Sequence, residues 1–277
     1  MEETHTVLEE DEGLLNRLKP QGHFKIAGSE LRVQQRLRES VGAVVWEAEL
    51  VLCRYLEACS RPDVATSSSR CVYPEYIDLK GKRVLELGAG TGLAGMLCAM
   101  FGASEVVLTD REEILDITFD NIRDNMSYAL DEASSNAGSH SNAGSDGALK
   151  SAQPRITGVN GKIVIQPLLW GQGEEEKLQQ PFDVVLAADL LYNSESHEAL
   201  VKTLTALCRP ETTVILVQKW RNANKECPFL MHAEMAGLEY EQMRWGMDLE
   251  GHGRWTWSGF PGKEEGIQIY KFRKCAF

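Results

Sequence analysis

From Lys82 onward the chain alternates short apolar runs with stretches of helical period. The runs "RVLELG", "EVVLTD", "KIVIQPLLW", "FDVVLAAD" and "TTVILVQ" are rich in branched side chains and nearly free of polar interruption, as strands buried on both faces are. Between them "LAGMLCAMFG", "EEILDITFDNIRDNM" and "SHEALVKTLTALC" repeat apolar residues at three and four positions, the period of a helix with one buried face. Alternating strands and helices predict βαβ units with helices on both faces of a parallel sheet. A helix around "KECPFLMHAEMAG" and late strands near "EYEQMRW" and "GIQIYKFR" bring the count to about seven strands. The expected fold class is α/β, a seven-strand doubly wound Rossmann-like sheet in three αβα layers.

Ahead of this region "HFKIAGSELRVQQRL" alternates around a Gly-Ser turn and predicts a hairpin. "GAVVWEAELVLCRYLEAC" places Val44, Ala48, Val51, Leu52, Tyr55 and Leu56 on one helical face. The pattern lapses elsewhere. Residues 1–22 are polar and acidic, an expected mobile tail, and "SRPDVATSSSR" reads as a loop. "LDEASSNAGSHSNAGSDGALKSAQP" carries almost nothing to bury, so a disordered insertion is expected at about 130–155 within a single domain over 23–277.

Composition narrows the function. With 277 residues and 43% hydrophobic content the chain can bury one substantial core. A net charge of −12 argues against a nucleic-acid partner, which needs a basic surface to displace counterions, and suits a basic partner or a small ligand. Seven cysteines, odd in number and without a CxxC, indicate neither a disulfide framework nor a metal ribbon, so a reducing cytoplasmic or nuclear setting is expected. The stretch "MEETHTVLEEDEGLL" lacks the basic and apolar regions of a secretory leader. No run of about 18 apolar residues occurs, so no membrane partner is expected.

The chemistry concentrates in "RVLELGAGTGLAGMLCAMFGASEVVLTD". Gly88, Gly90 and Gly92 follow a strand and let the chain turn sharply under a ligand. The free N–H groups of the next helix's first turn are expected to point at that ligand. Asp110, about 20 residues on at a strand end, is placed to accept hydrogen bonds from ribose hydroxyls. "GTGLAG" also satisfies the GxGxxG dinucleotide pattern, which leaves a nicotinamide-dependent oxidoreductase open. Glu86 separates the two: a carboxylate before the turn repels a pyrophosphate and suits a cationic ligand such as S-adenosylmethionine.

"VLELGAGTGLAG" with "LTD" resembles the first two motifs of seven-strand S-adenosylmethionine-dependent methyltransferases. Three further stretches, "GAVVWEAELVLCRYLE", "LLWG" and "AADLLY", resemble the methyltransferase family 16 group of protein-lysine methyltransferases, which share an acid-x-x-Tyr signature at the last of these. The resemblance covers about residues 23–272 without the Ser/Asn/Gly insertion, and the extended loop from Cys59 to Pro74 also departs from it. It implies that Gly88, Ala89 and Gly90 line the methionine part of the cofactor, that Asp110 holds the ribose and that Trp170 lies against the adenine. Trp46 would close the pocket from the preceding helix, and Ala188 would leave room beside it. It further implies a lysine-bearing non-histone protein as substrate, such as a valosin-containing-protein AAA ATPase or another chaperone, and no metal.

Asp189 and Tyr192 carry the expected chemistry. Methyl transfer to nitrogen needs alignment and a free lone pair, and Asp189 is read as an acceptor that orients the amine while the Tyr192 ring walls off water. Helix capping by Asp189 or Asn193 is the plain alternative. A non-catalytic S-adenosylmethionine-binding protein would lack use for this pair. The six histidines show no metal-ligand spacing, "GEEEKLQQ" reads as a solvated loop, and "WGMDLEGHGRWTWSGF" has no assigned role.

Overall fold

The computed structural model describes residues 19–26, 28–37, 40–60, 77–126, 128–130, 155–158, 161–179, 181–243 and 266–275. The chain opens on the expected hairpin, β1 (Gln21–Ile26) and β2 (Ser29–Gln34), turned by Gly28 at φ 76°. Gln21 and Gly22 therefore belong to a strand and not to an acidic tail; residues 1–18 lie outside the described residues. Helix α1 (Glu47–Ser60) follows. Strands β3 (Arg83–Leu87) and β4 (Glu105–Asp110) flank α2 (Leu93–Met100), and α3 (Leu115–Asn125) leads to β5 (Tyr128–Leu130). Then come β6 (Arg155–Gly158), β7 (Gly161–Pro167), β8 (Val184–Ala188), α4 (His197–Leu207), β9 (Thr213–Lys219), α5 (Pro228–Met235), β10 (Leu238–Gln242) and β11 (Ile267–Lys274).

The main sheet has the order β10-β11-β9-β8-β3-β4-β7-β6-β5. Its first seven strands are the expected set, with β9, β8, β3, β4 and β7 parallel and β11 antiparallel to β9. Two short strands not foreseen, β6 and β5, extend the β7 edge in antiparallel register, Leu130 opposite Ile156. Both nominal ends of the insertion are thus strand residues, while 131–154 lie outside the described residues, as do 61–76 of the Cys59–Pro74 loop and 244–265 of the Trp/Gly-rich stretch.

Alternation along each strand divides the core in two. Val84, Val106, Leu108, Ile163, Leu186 and Ile215 face α1, α2 and the hairpin, whereas Leu85, Leu87, Val107, Val164, Val185 and Leu216 face α4 and α5. Glu86 has the parity of Val84, so its carboxylate is sent into the layer of α1 and α2. The free edge of β2 is closed without a further strand. Asn121 and Asn125, one turn apart on α3, each accept a β2 amide and donate to the same residue's carbonyl: Asn121 with Gln34 at 2.7 and 3.1 Å, Asn125 with Arg32 at 2.7 and 2.7 Å. Side-chain amides offer the donor and acceptor that a strand edge lacks. Among the described residues no helix is long and apolar enough to cross a membrane.

Candidate active site

The winding reverses at β3. From it the chain proceeds through α2 to β4 on one side, and after β7 it returns to β8 on the other. Ligands of parallel sheets bind outside the carboxyl ends of the strands at such a reversal, and a cavity of about 600 Å³ lies there. The ten residues assigned to the cofactor or the chemistry from the sequence line it, whereas Gly92 of the same turn does not and faces Thr118, Ile122 and Leu108. Glu86, Gly88, Ala89 and Gly90 come from the end of β3, Asp110 from β4, Trp170 from beyond β7, Ala188, Asp189 and Tyr192 from the end of β8, and Trp46 from the approach to α1.

Trp46 is not on the helix. Val44 is extended (φ −138°, ψ 142°) and α1 begins at Glu47, so the helical face read from Val44 starts late. The Trp46 indole donates to the Val41 carbonyl at 2.9 Å, which folds this segment over the cavity.

The glycine turn is held from both sides. Gly90 has φ 53°, and a Cβ there would lie 2.6 Å from the Gly42 carbonyl oxygen, so only glycine fits. Its amide donates to Asp110 Oδ2 at 2.9 Å, the Arg111 amide donates to Oδ1 at 2.7 Å, and the Thr118 hydroxyl donates to the Gly90 carbonyl at 2.6 Å. Burial raises the Asp110 pKa, and these two amides act against that shift. Each carboxylate oxygen retains a lone pair for a ligand hydroxyl.

The start of α2 departs from expectation. Its first-turn amides do not await a ligand: those of Leu93 and Ala94 act on Glu49, and that of Gly95 acts on Glu86. The partial positive charge of a helix N-terminus favours such carboxylates. A Cβ on Gly95 would sit 2.2 Å from Leu108 Cδ2 and 2.9 Å from Glu86 Oε2, so this glycine lets α2 lie directly on the sheet. A pyrophosphate would meet two acids here, with the amides of Leu93, Ala94 and Gly95 already engaged. Glu86 is 2% exposed and its Oε2 has no hydrogen-bond partner. Glu49, also in the cavity wall, was missed in the sequence. The available signal was an acid spaced three and four residues from Leu52 and Cys53, on the buried face of α1.

Asp189 also differs from its expected role. It sits in the left-handed region at φ 57°, which aspartate tolerates better than most residues. Its carboxylate is buried and already bound: Oδ1 and Oδ2 accept from Arg221 Nη1 and Nη2 at 2.7 and 2.6 Å, and Gln218 Nε2 lies 3.3 Å from Oδ1. The Arg221 guanidinium stands 5.6 Å from the centre of the Trp46 ring. Asp189 is therefore a paired carboxylate and not a lone acceptor, and its side chain caps nothing; Asn193 does, accepting from the Glu195 amide at 3.1 Å. The Tyr192 ring is 58% exposed at the cavity mouth, so by itself it screens little water. Trp170 packs partly against the α4–α5 side of the core.

One background reading changes as well, and one holds. In "GEEEKLQQ", Glu175 is buried and accepts from the Thr203 hydroxyl, which ties this segment to α4. His197 is buried, hydrogen-bonded to the Leu191 carbonyl at 3.0 Å and set edge-on to Phe229, a packing role. Among the described residues no group of three or more His, Cys, Asp or Glu could hold a metal ion.

The cavity suits S-adenosylmethionine. Buried acids in its wall complement the cationic groups of that cofactor, the glycine turn leaves room for close approach, and Asp110 lines the same space. The sequence profile of a lysine methyltransferase family matches residues 25–137 and 149–236, its break falling in the Ser/Asn/Gly stretch. The protein N-lysine methyltransferase METTL21A of Danio rerio is 32% identical over 194 residues, 70% of this chain and 68% of the relative. EEF1A lysine methyltransferase 3 of Xenopus tropicalis is 30% identical over 203 residues, 73% and 69% of the two chains. METTL21A of Mus musculus is 30% identical over 210 residues, 76% and 75%.

Proposed function

This chain belongs to the lysine methyltransferase family and uses S-adenosylmethionine to methylate a protein lysine; from that premise we propose a valosin-containing-protein AAA ATPase, or another chaperone, as the substrate. The observation that carries the catalytic reading is that the glycine turn, Asp110, Asp189 and Tyr192 line one cavity. The substrate choice is supported by the stretch Val41–Glu57, which resembles the branch of the family that acts on that ATPase. A net charge of −12 suits a positively charged or mixed docking surface. We also place the protein in the cytoplasm or nucleus, in keeping with the free thiols of Cys53, Cys59, Cys98 and Cys208 in its core.

When bound, S-adenosylmethionine supplies an electrophilic methyl group on a positively charged sulfur. Asp110 would hold the ribose, Trp170 the adenine, and Gly88, Ala89 and Gly90 the methionine part, with Trp46 and Ala188 shaping the remaining wall. The difficulty lies with the lysine, whose pKa of about 10.4 makes the neutral amine cost about 4–5 kcal/mol at neutral pH. A lone carboxylate beside it would favour the ammonium and raise that cost. Asp189 is paired with Arg221, so its charge is cancelled where the amine arrives. The pair fixes the mouth of the site, and the Tyr192 hydroxyl orients the amine through a hydrogen bond.

The test is transfer of labelled methyl groups to purified valosin-containing protein, an unrelated chaperone and elongation factor 1A, the last because one relative's name refers to it. Label on the ATPase is expected, weakening as salt is raised. Label confined to elongation factor 1A overturns the substrate choice. Cofactor binding without transfer to any protein of a cell lysate overturns catalysis.

A further inference from the structure

Glu49 and Glu86 enter the cavity wall from different elements, α1 and β3, and both are almost fully buried. Neither has a cationic partner among the described contacts. Glu49 Oε1 has the Thr91 hydroxyl at 3.4 Å, and Glu86 Oε2 has no partner at all. The charge-bearing groups around them are few. Asp110 faces Glu86 from β4, Cys98 from α2 and Cys53 from α1 itself, and the charge of Arg54 reaches Cys53. Arg111 is on the cavity wall, and across the mouth the Asp189–Arg221 pair is internally matched. Lys219, at the end of β9, is engaged with Glu47 at 2.6 Å. The pocket thus holds buried acid in excess of base.

We propose that Glu49 and Glu86 act together as two coupled buried acids of one cavity, which receive the cationic end of the cofactor and release a proton to solvent as it binds. The proposal rests on the S-adenosylmethionine reading of this cavity. Two like charges in one buried space cannot both persist without a counter-charge. In the free protein protonation removes those charges, and in the complex the ligand's ammonium or sulfonium takes the place of one proton. Burial pushes the Glu49 carboxyl up to about 8, with Thr91 and the α2 amides opposing. Burial and then the charge of Glu49 raise Glu86 well above the usual carboxylate range. The sign follows. Below about pH 8 the pair is protonated and the ligand must displace a proton, so affinity rises with pH up to there, by as much as about tenfold per unit for one proton.

Calorimetric titration of the full chain with S-adenosylmethionine at pH 7.0, in phosphate and in Tris, reads the proton directly from the difference in heat. At this pH an α-amino group, with a pKa of about 7.7–8.0, is still mostly protonated. Release close to one proton is expected from the wild type. Glu49→Gln should move the midpoint of the Kd–pH profile away from about 8, because the group that titrates there is gone, and the double change Glu49→Gln/Glu86→Gln should make the profile flat. Binding by the wild type without proton release overturns the pair and leaves the cofactor reading intact. An unshifted midpoint in a folded Glu49→Gln protein overturns the role of Glu49. Absence of binding overturns both readings, and the wild-type measurement decides even if the variants do not fold.

Discussion

Removing Arg221 separates the structural from the catalytic consequence of the pairing at Asp189. The Asp189 side chain is 4% exposed and that of Arg221 38%, so Arg221→Ala strands a buried carboxylate with only the Gln218 amide beside it. Breaking a fully buried pair costs about 3–5 kcal/mol. Water already reaches the guanidinium, and surface pairs are worth only about 0–1 kcal/mol, so an intermediate cost of about 2–3 kcal/mol is expected. At roughly 2–4 °C per kcal/mol for a chain of this size, the melting temperature should fall by about 5–10 °C. The double change Asp189→Asn/Arg221→Gln, which removes both charges, should recover most of that loss. Catalysis should respond differently. With Arg221 gone, the Asp189 charge stabilises the incoming ammonium, so the amine's pKa rises and the rate–pH profile of methyl transfer moves to higher pH. Thermal melts of the wild type and the two variants, with single-turnover rates across pH at saturating cofactor, give both readouts. Destabilisation by Arg221→Ala below about 0.5 kcal/mol together with an unmoved profile would refute the reasoning.

Asp110→Ala should weaken cofactor binding by about 10- to 150-fold, since charge-assisted hydrogen bonds are worth about 1.5–3 kcal/mol; unchanged affinity in calorimetry would remove the ribose assignment. Tyr192→Phe should lower the methyl-transfer rate while leaving cofactor affinity within about twofold, because the exposed hydroxyl is assigned to the amine; equal losses in both assays would make it a structural residue. Deleting Ser134–Ser151 should change the melting temperature by less than about 2 °C, since the stretch has almost no apolar side chains to bury. A large fall would show that it packs.

Most of the fold and half of the site are legible in the chain. The five central strands, the helices between them and the hairpin are written as local periodicity, and "ELGAGTGLAG" with Asp110 states the turn and its acid within one βαβ unit. Such features depend on residues close in sequence, so pattern and backbone preference reveal them. The partners of the charged groups are not written that way. Arg221 reaches Asp189 across 32 positions, and Asn121 and Asn125 close the β2 edge from 87 and 93 positions away. Nothing in "QKWRN" marks its arginine as the one that would neutralise Asp189.

The sequence by itself therefore determined the element order, the glycine turn, the acid at the end of β4 and the family resemblance, because each needs only neighbouring residues. The tertiary structure alone decided which charges meet. The parity of β3 sends Glu86 toward α1, the placement of α1 brings Glu49 to the same cavity, and the adjacency of β8 and β9 lays Arg221 on Asp189. Electrostatic energies depend on separation in space and on burial, and both are set only once the sheet order and the helix layers are in place.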